Sequence, residues 1–153
     1  MSKTYRIIVA THKRFQMPED KDLYIPIQVG SEGKEDLGYQ PDNQGVHISH
    51  LNPYYCELTG LYWAWKNLEC DYLGLVHYRR YFTSKRHSYS EAISMDDIIL
   101  SKSEVKNLMS NYDVIVPKKR KYYIETLYSH YAHTHDAKHL DMTRQIISEI
   151  SPE

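Results

Sequence analysis

Apolar residues fall in short runs separated by polar stretches, and the runs alternate between strand-like and helix-like spacing. Residues 4–10, Thr-Tyr-Arg-Ile-Ile-Val-Ala, are β-branched and apolar and predict a buried first strand. Thr11, His12 and Lys13 follow at its carboxyl end. Residues 14–22 are polar and contain Pro18, a loop. Residues 23–29, Leu-Tyr-Ile-Pro-Ile-Gln-Val, predict a second extended segment, and Pro26 within it points to an edge or irregular strand. Residues 30–50 hold Gly30, Gly33, Gly38 and Gly45 among many polar residues. They predict a long loop, of the kind that often carries function.

Asn52 suits an N-cap and Pro53 a first helical position, so a helix is expected over 53–68. Tyr54, Leu58, Leu61, Tyr62, Trp65 and Leu68 then share one stripe, with Glu57 on its border. An acid there needs a partner, and Arg79 or Arg80 is the expected one. Residues 72–78, Tyr-Leu-Gly-Leu-Val-His-Tyr, read as a central strand of an α/β sheet. A polar loop over 83–94 leads to a helical stretch at 96–111, interrupted near Ser101. Residues 113–117, Asp-Val-Ile-Val-Pro, predict one more strand, and 124–135 and 137–150 two helices. The order of elements argues one α/β domain over 1–153. Strands 4–10, 72–78 and 113–117 would be neighbours in a mostly parallel sheet with helices on its faces.

Composition narrows the function classes. The net charge of −1 gives no ground for a nucleic-acid partner. Fifteen tyrosines against two phenylalanines supply flat faces with hydroxyls, suited to sugars or bases and equally to half-buried strands. Cys56 and Cys70 form no CxxC pair, which reads as a reduced cytoplasmic protein. No apolar run approaches a membrane span, and the N-terminus lacks the apolar core of a signal peptide.

The candidate chemistry lies at strand ends. His77, Arg79 and Arg80 close the strand 72–78, at the edge where open α/β sheets bind ligands. Guanidinium forks match phosphate oxygens. Lys118 and Lys119 belong to a basic run after the strand expected at 113–117. With Lys13, they would converge on one positive crevice, unless the basic run is simply a solvated face. His130, His133, His135 and His139 lack a metal-binding spacing pattern, and no metal site is expected among them. No Asp-x-Asp follows the strand 72–78, and Asp96-Asp97 looks like helix capping.

The segment Asp42-Asn-Gln-Gly-Val-His-Ile-Ser49, the block Glu57-Leu-Thr-Gly-Leu-Tyr-Trp-Ala-Trp-Lys-Asn67 and the block Gly74-Leu-Val-His-Tyr-Arg-Arg-Tyr-Phe82 resemble a known family. It is the domain of unknown function 4422, described as glycosyltransferases of bacterial capsular and exopolysaccharide clusters. The resemblance extends over nearly the whole chain, while family members continue beyond the position of Pro152. It implies a GT-A-like three-layer sandwich, incomplete at its C-terminus, that takes a nucleotide-diphospho-sugar donor and a glycan or lipid-linked saccharide acceptor. Contact with the inner face of the membrane is compatible with such an acceptor. Thr11, His12, Lys13, Arg79, Arg80, Lys118 and Lys119 are then the expected donor-binding residues. His77 or Glu57 is the residue expected to deprotonate the acceptor, an assignment read from this sequence. No particular cofactor follows from the resemblance, and a divalent cation, manganese or magnesium, is left open. The alternative is a non-catalytic relative that binds nucleotide or glycan only.

Overall fold

The computed structural model describes residues 3–83 and 94–152, which form two compact units, 1–115 and 116–153. The polar loop expected over 83–94 lies, from 84 to 93, outside the described residues.

The first unit is an α/β sandwich on a wholly parallel sheet. Its strands are β1 (Tyr5–Thr11), β2 (Tyr24–Gln28), β3 (Gln40–Pro41) and β4 (Tyr72–His77), in the spatial order β3-β2-β1-β4. The register pairs Ala10 with both Ile27 and His77. Both faces of β1 are covered, which is why its sequence is a nearly unbroken apolar run. Tyr5, Ile7 and Val9 pack with Val76, Tyr78, Leu100 and Val105 on one side. Ile8 and Ala10 pack with Ile27, Val29, Trp63 and Ala64 on the other. Helices α1 (Asn52–Tyr55) and α2 (Leu58–Asn67) precede β4, and α3 (Met95–Ile98) and α4 (Lys102–Met109) follow it. Layers on both faces complete the expected three-layer architecture.

Pro26 sits inside β2 without harm, because β3 is only two residues long and pairs at Ile27 and Gln28 alone. The interruption expected near Ser101 is a helix start. Ser101 caps α4 in a reciprocal capping box with Glu104. Likewise Asp97 accepts from the Ser94 N–H at 3.2 Å, the capping role expected of that acid pair.

Three expectations need correction. The helix expected over 53–68 is broken at Cys56, whose φ is 48° and ψ −126°. Asn52 is no N-cap; its Nδ2 clamps the break, donating to the Cys56 carbonyl at 2.8 Å and to Thr59 Oγ1 at 3.2 Å. The face of α2 that packs on the sheet is Thr59, Gly60, Trp63 and Ala64, while Tyr54, Leu58 and Trp65 are exposed. Small residues win because they let the helix backbone approach closely: a Cβ on Gly60 would lie 2.8 Å from Val29 Cγ1. Finally, residues 113–117 form no strand. They have no hydrogen-bonded partner strand among the described residues, and Val114 is exposed.

The second unit holds α5 (Leu127–Ala132) and α6 (Lys138–Ile150), within the ranges expected for two helices. Thr126 caps α5, accepting from the Ser129 N–H. Glu125 pairs with both His130 and His133 at 3.3 and 3.2 Å.

Candidate functional site

The strand order places a topological switch point between β1 and β4. Successive strands β1, β2 and β3 step one way along the sheet, and β4 joins on the opposite side of β1. The connections on either side of such a point leave in opposite directions, and a crevice opens at the carboxyl ends of the two strands. Thr11–Lys13 and His77–Arg80 occupy that edge. The Tyr78 N–H donates to the Ala10 carbonyl at 3.1 Å, which carries the β1–β4 pairing to this edge.

Tyr78 organises the edge. It is fully buried, and besides the adjoining His77 ring, 4.3 Å away between centroids, four side chains gather on its ring. His12 and Phe15 meet it edge-on at 5.4 and 5.0 Å between centroids. Lys13 Nζ and the Arg79 guanidinium lie 5.6 and 5.1 Å from its centre. Cations are attracted to the ring face, so Tyr78 holds Lys13 and Arg79 together despite their like charge. Thr11 is buried and spends its hydroxyl locally. Its Oγ1 donates to the Lys13 carbonyl at 2.6 Å and accepts from the Lys13 N–H at 3.3 Å. It shapes the turn that presents His12 and Lys13. Arg79 and Arg80 are exposed. They lie in a tight turn in which the Arg80 N–H returns to the His77 carbonyl at 2.7 Å.

The partner of Glu57 is His77. Their Oε1 and Nε2 atoms are 3.9 Å apart, and this, not a pairing with Arg79 or Arg80, replaces the expected contact. The break at Cys56 decides it. Glu57 sits at the N-cap of α2 yet makes no side-chain cap, so its carboxylate, 44 % exposed, faces the sheet edge. His77 is on the α2 side of β4, in alternation with Leu73 and Leu75. Burial lowers the His77 pKa below its usual value. The charges of Arg79, Arg80 and His12 act in the same sense, against the opposing pull of Glu57. His77 is therefore neutral at pH 7. Its Nδ1 accepts from the Arg79 N–H at 3.3 Å, which leaves the proton on Nε2, pointing toward Glu57. At 3.9 Å this Nε2 stands beyond hydrogen-bond distance, and the Glu57 carboxylate keeps its acceptor lone pairs free.

Beside this edge lies an acid that residue type alone did not flag. Asp42 is fully buried and accepts from the N–H groups of Gly30 and Ser31 and from the hydroxyls of Ser31, Ser49 and Thr59, at 2.5–3.0 Å. Burial pushes its pKa up, but the hydrogen bonds from Ser49, Thr59, Ser31 and Gly30 outweigh it and hold the carboxyl below its usual value. It thus ties the end of β2, the 30–50 loop and the start of α2 into one rigid support. An Asp in a glycine-containing polar loop carries no signal of this role, because its five donors come from four residues in three separate segments. A polar cleft of about 270 Å³ opens next to it, lined by Gln28, Ser31, Lys34, Tyr39 and Gln44 among others.

A model of the domain of unknown function DUF4422 matches residues 6–153. The chain belongs to the DUF4422 family. A solved structure similar to this member is the apo structure of WbbM, a bifunctional glycosyltransferase. It superposes with a TM-score of 0.77 at 26 % identity, over 97 % of this chain. This chain spans 30 % of the length of that protein. A comparison with curated proteins gives no match.

The sheet edge therefore brings together His12, Lys13, Glu57, His77, Arg79 and Arg80. Lys118 and Lys119 are exposed and belong to the second unit. Tyr78 is the organising residue that sequence reading passed over. Its position as the first residue after a central strand was the available signal.

Proposed function

We propose that this DUF4422 member transfers a glycosyl group from a nucleoside-diphospho-sugar to a hydroxyl of a glycan or lipid-linked saccharide. The observation that carries the reading is the Tyr78-centred group at the β1–β4 switch point: two cations on one ring with a carboxylate beside them. The diphosphate lies against Lys13, Arg79 and Arg80, whose charge stabilises it as it leaves. The bond from the anomeric carbon to the diphosphate oxygen breaks. The acceptor oxygen forms the new bond to that carbon, and its proton passes to Glu57. His77, neutral, stands 3.9 Å from Glu57 and would orient it through Nε2–H once that gap closes in the substrate complex.

One carboxylate among five cationic or imidazole groups is a poor donor set for a divalent cation at this edge, so side-chain charge performs the phosphate step. Lys118 and Lys119 are proposed as further contacts to the donor phosphates or to an anionic lipid-linked acceptor. The proposed setting is capsular or exopolysaccharide assembly on the cytoplasmic side of the membrane. No helix of the described residues is long and apolar enough to cross a membrane.

A second reading is binding of nucleotide or glycan without turnover, for which the Lys13 and Arg79 cations on the Tyr78 ring would suffice. The experiment has two arms. Calorimetric titration with uridine diphosphate tests binding, and release of free nucleotide from a panel of nucleotide sugars in the presence of saccharide acceptors tests turnover. Binding with turnover supports transfer, binding alone supports the second reading, and absence of both defeats the donor site.

A further inference from the structure

The loop between β2 and α1 assembles three metal-ligating side chains that the donor site does not use. One ligand-capable atom each of Glu32, His47 and His50 lies within 4.8 Å of the other two. Ligand atoms around a tetrahedral zinc stand about 3.4 Å apart, so rotamer changes of about an ångström would close the set. Glu32 and His50 are exposed and His47 is half-buried, which leaves room for that adjustment.

The support of the three is built. Ser31, next to Glu32, donates to Asp42 through its N–H and its hydroxyl, both at 3.0 Å. Ser49, between His47 and His50, donates to the same oxygen at 2.5 Å. The Glu32 N–H reaches Ser49 Oγ at 3.4 Å. Buried Asp42 thus fixes the two backbone segments that carry the ligands, as outer-shell carboxylates do in metal sites. The carboxylate of Glu32 has no ion-pair or hydrogen-bond partner among the described residues, and neither has the His50 ring. His47 Nδ1 accepts one long bond, 3.4 Å, from the Ser49 N–H.

We propose that Glu32, His47 and His50 bind one divalent cation of the later first transition row, zinc being the best fit. Two imidazoles with one carboxylate select such ions over magnesium, which demands oxygen ligands. Three protein ligands leave a coordination position for water or another oxygen ligand. The loop begins where β2 ends, at the same sheet edge as Lys13, since Gln28 pairs with Thr11. The assignment does not depend on glycosyl transfer, because the cation alone is the probe.

The test is calorimetric titration of zinc into the metal-stripped 153-residue chain, with Glu32→Gln, His50→Ala and, as control, His133→Ala. One equivalent is expected for the wild type and the control. Affinity is expected to fall by roughly tenfold or more in Glu32→Gln and in His50→Ala. Thermal melts of the stripped proteins, expected to coincide, separate ligand loss from misfolding. No zinc uptake by the wild type, or equal affinity in both loop variants, overturns the site.

Discussion

Asp42 Oδ2 accepts the hydroxyl hydrogen of Thr59 at 2.6 Å, and through this bond the glycine-rich loop is locked to the first turn of α2. Asp42→Asn keeps the shape but turns an amide N–H₂ toward the backbone N–H of Gly30 or of Ser31, which can only donate. We expect a loss of about 3 kcal/mol in unfolding free energy, measured by denaturant titration. The Asp42 pKa is depressed in the fold, so its contribution is present above the pKa of the unfolded chain, about 3.9. It is lost as pH falls below that toward the folded value. Wild type and Asp42→Asn should therefore differ at pH 7 and converge in acid. A constant gap across that range would be incompatible with an ionised Asp42.

His77 should titrate below the usual histidine pKa of about 6.5, for the burial and cationic neighbours named above. The unfolded chain binds the proton more readily than the folded one, so this residue subtracts stability as pH falls through and below 6.5. His77→Gln should soften that acid sensitivity. The midpoint of the His77 ring proton shift in NMR reports it directly, and a midpoint above 6.5 would contradict the arrangement.

Glu57→Gln should leave the melting temperature within a degree or so of wild type, because the carboxylate is half-exposed and caps nothing. Transfer activity, where found, should drop by about 10²–10⁴-fold, the scale of a lost general base. Retained turnover would move the base elsewhere.

Arg79→Ala should weaken uridine diphosphate binding roughly 10- to 100-fold without unfolding the protein, as expected for one charge-assisted hydrogen-bonding group. Lys13→Ala should act in the same direction. An Arg79→Ala protein that melts early and binds normally would make the arginine a structural clamp on Tyr78.

Gly60→Ala and Cys56→Gly test the helix break from both sides. Alanine at 60 gains helix propensity of about 1 kcal/mol but drives a methyl into Val29, a β-branched neighbour with little rotamer freedom. Overpacking costs about 1–3 kcal/mol, so a net destabilisation of about 1 kcal/mol is expected. Cys56 has a φ of 48°, where only glycine is at ease, so Cys56→Gly should stabilise by up to about 1 kcal/mol. A stabilised Gly60→Ala together with a destabilised Cys56→Gly in thermal melts would show that the break is not intrinsic to this backbone.

Local pattern was enough to locate β1, β2, β4 and the helices after residue 94. A strand buried on both faces must be apolar throughout, and a helix start must offer a capping side chain, as Ser101 and Thr126 do. The same logic put Thr11–Lys13 and His77–Arg80 at carboxyl strand ends. It failed at 113–117, where an apolar run looks like a strand whether or not a neighbour exists to bond it. It also failed on α2, where the larger apolar residues were taken for the packing face.

What only the tertiary structure decided is which residues meet. The β3-β2-β1-β4 order places β1 beside β4, and with it His12 and Lys13 beside Tyr78 and Arg79. One backbone torsion at Cys56 turns Glu57 toward His77 instead of the arginines. Asp42 and the Glu32, His47 and His50 set draw on residues brought together only when the 30–50 loop folds back on itself. Periodicity reports the environment of each residue along the chain, whereas these contacts depend on strand order and loop closure, which no local spacing encodes.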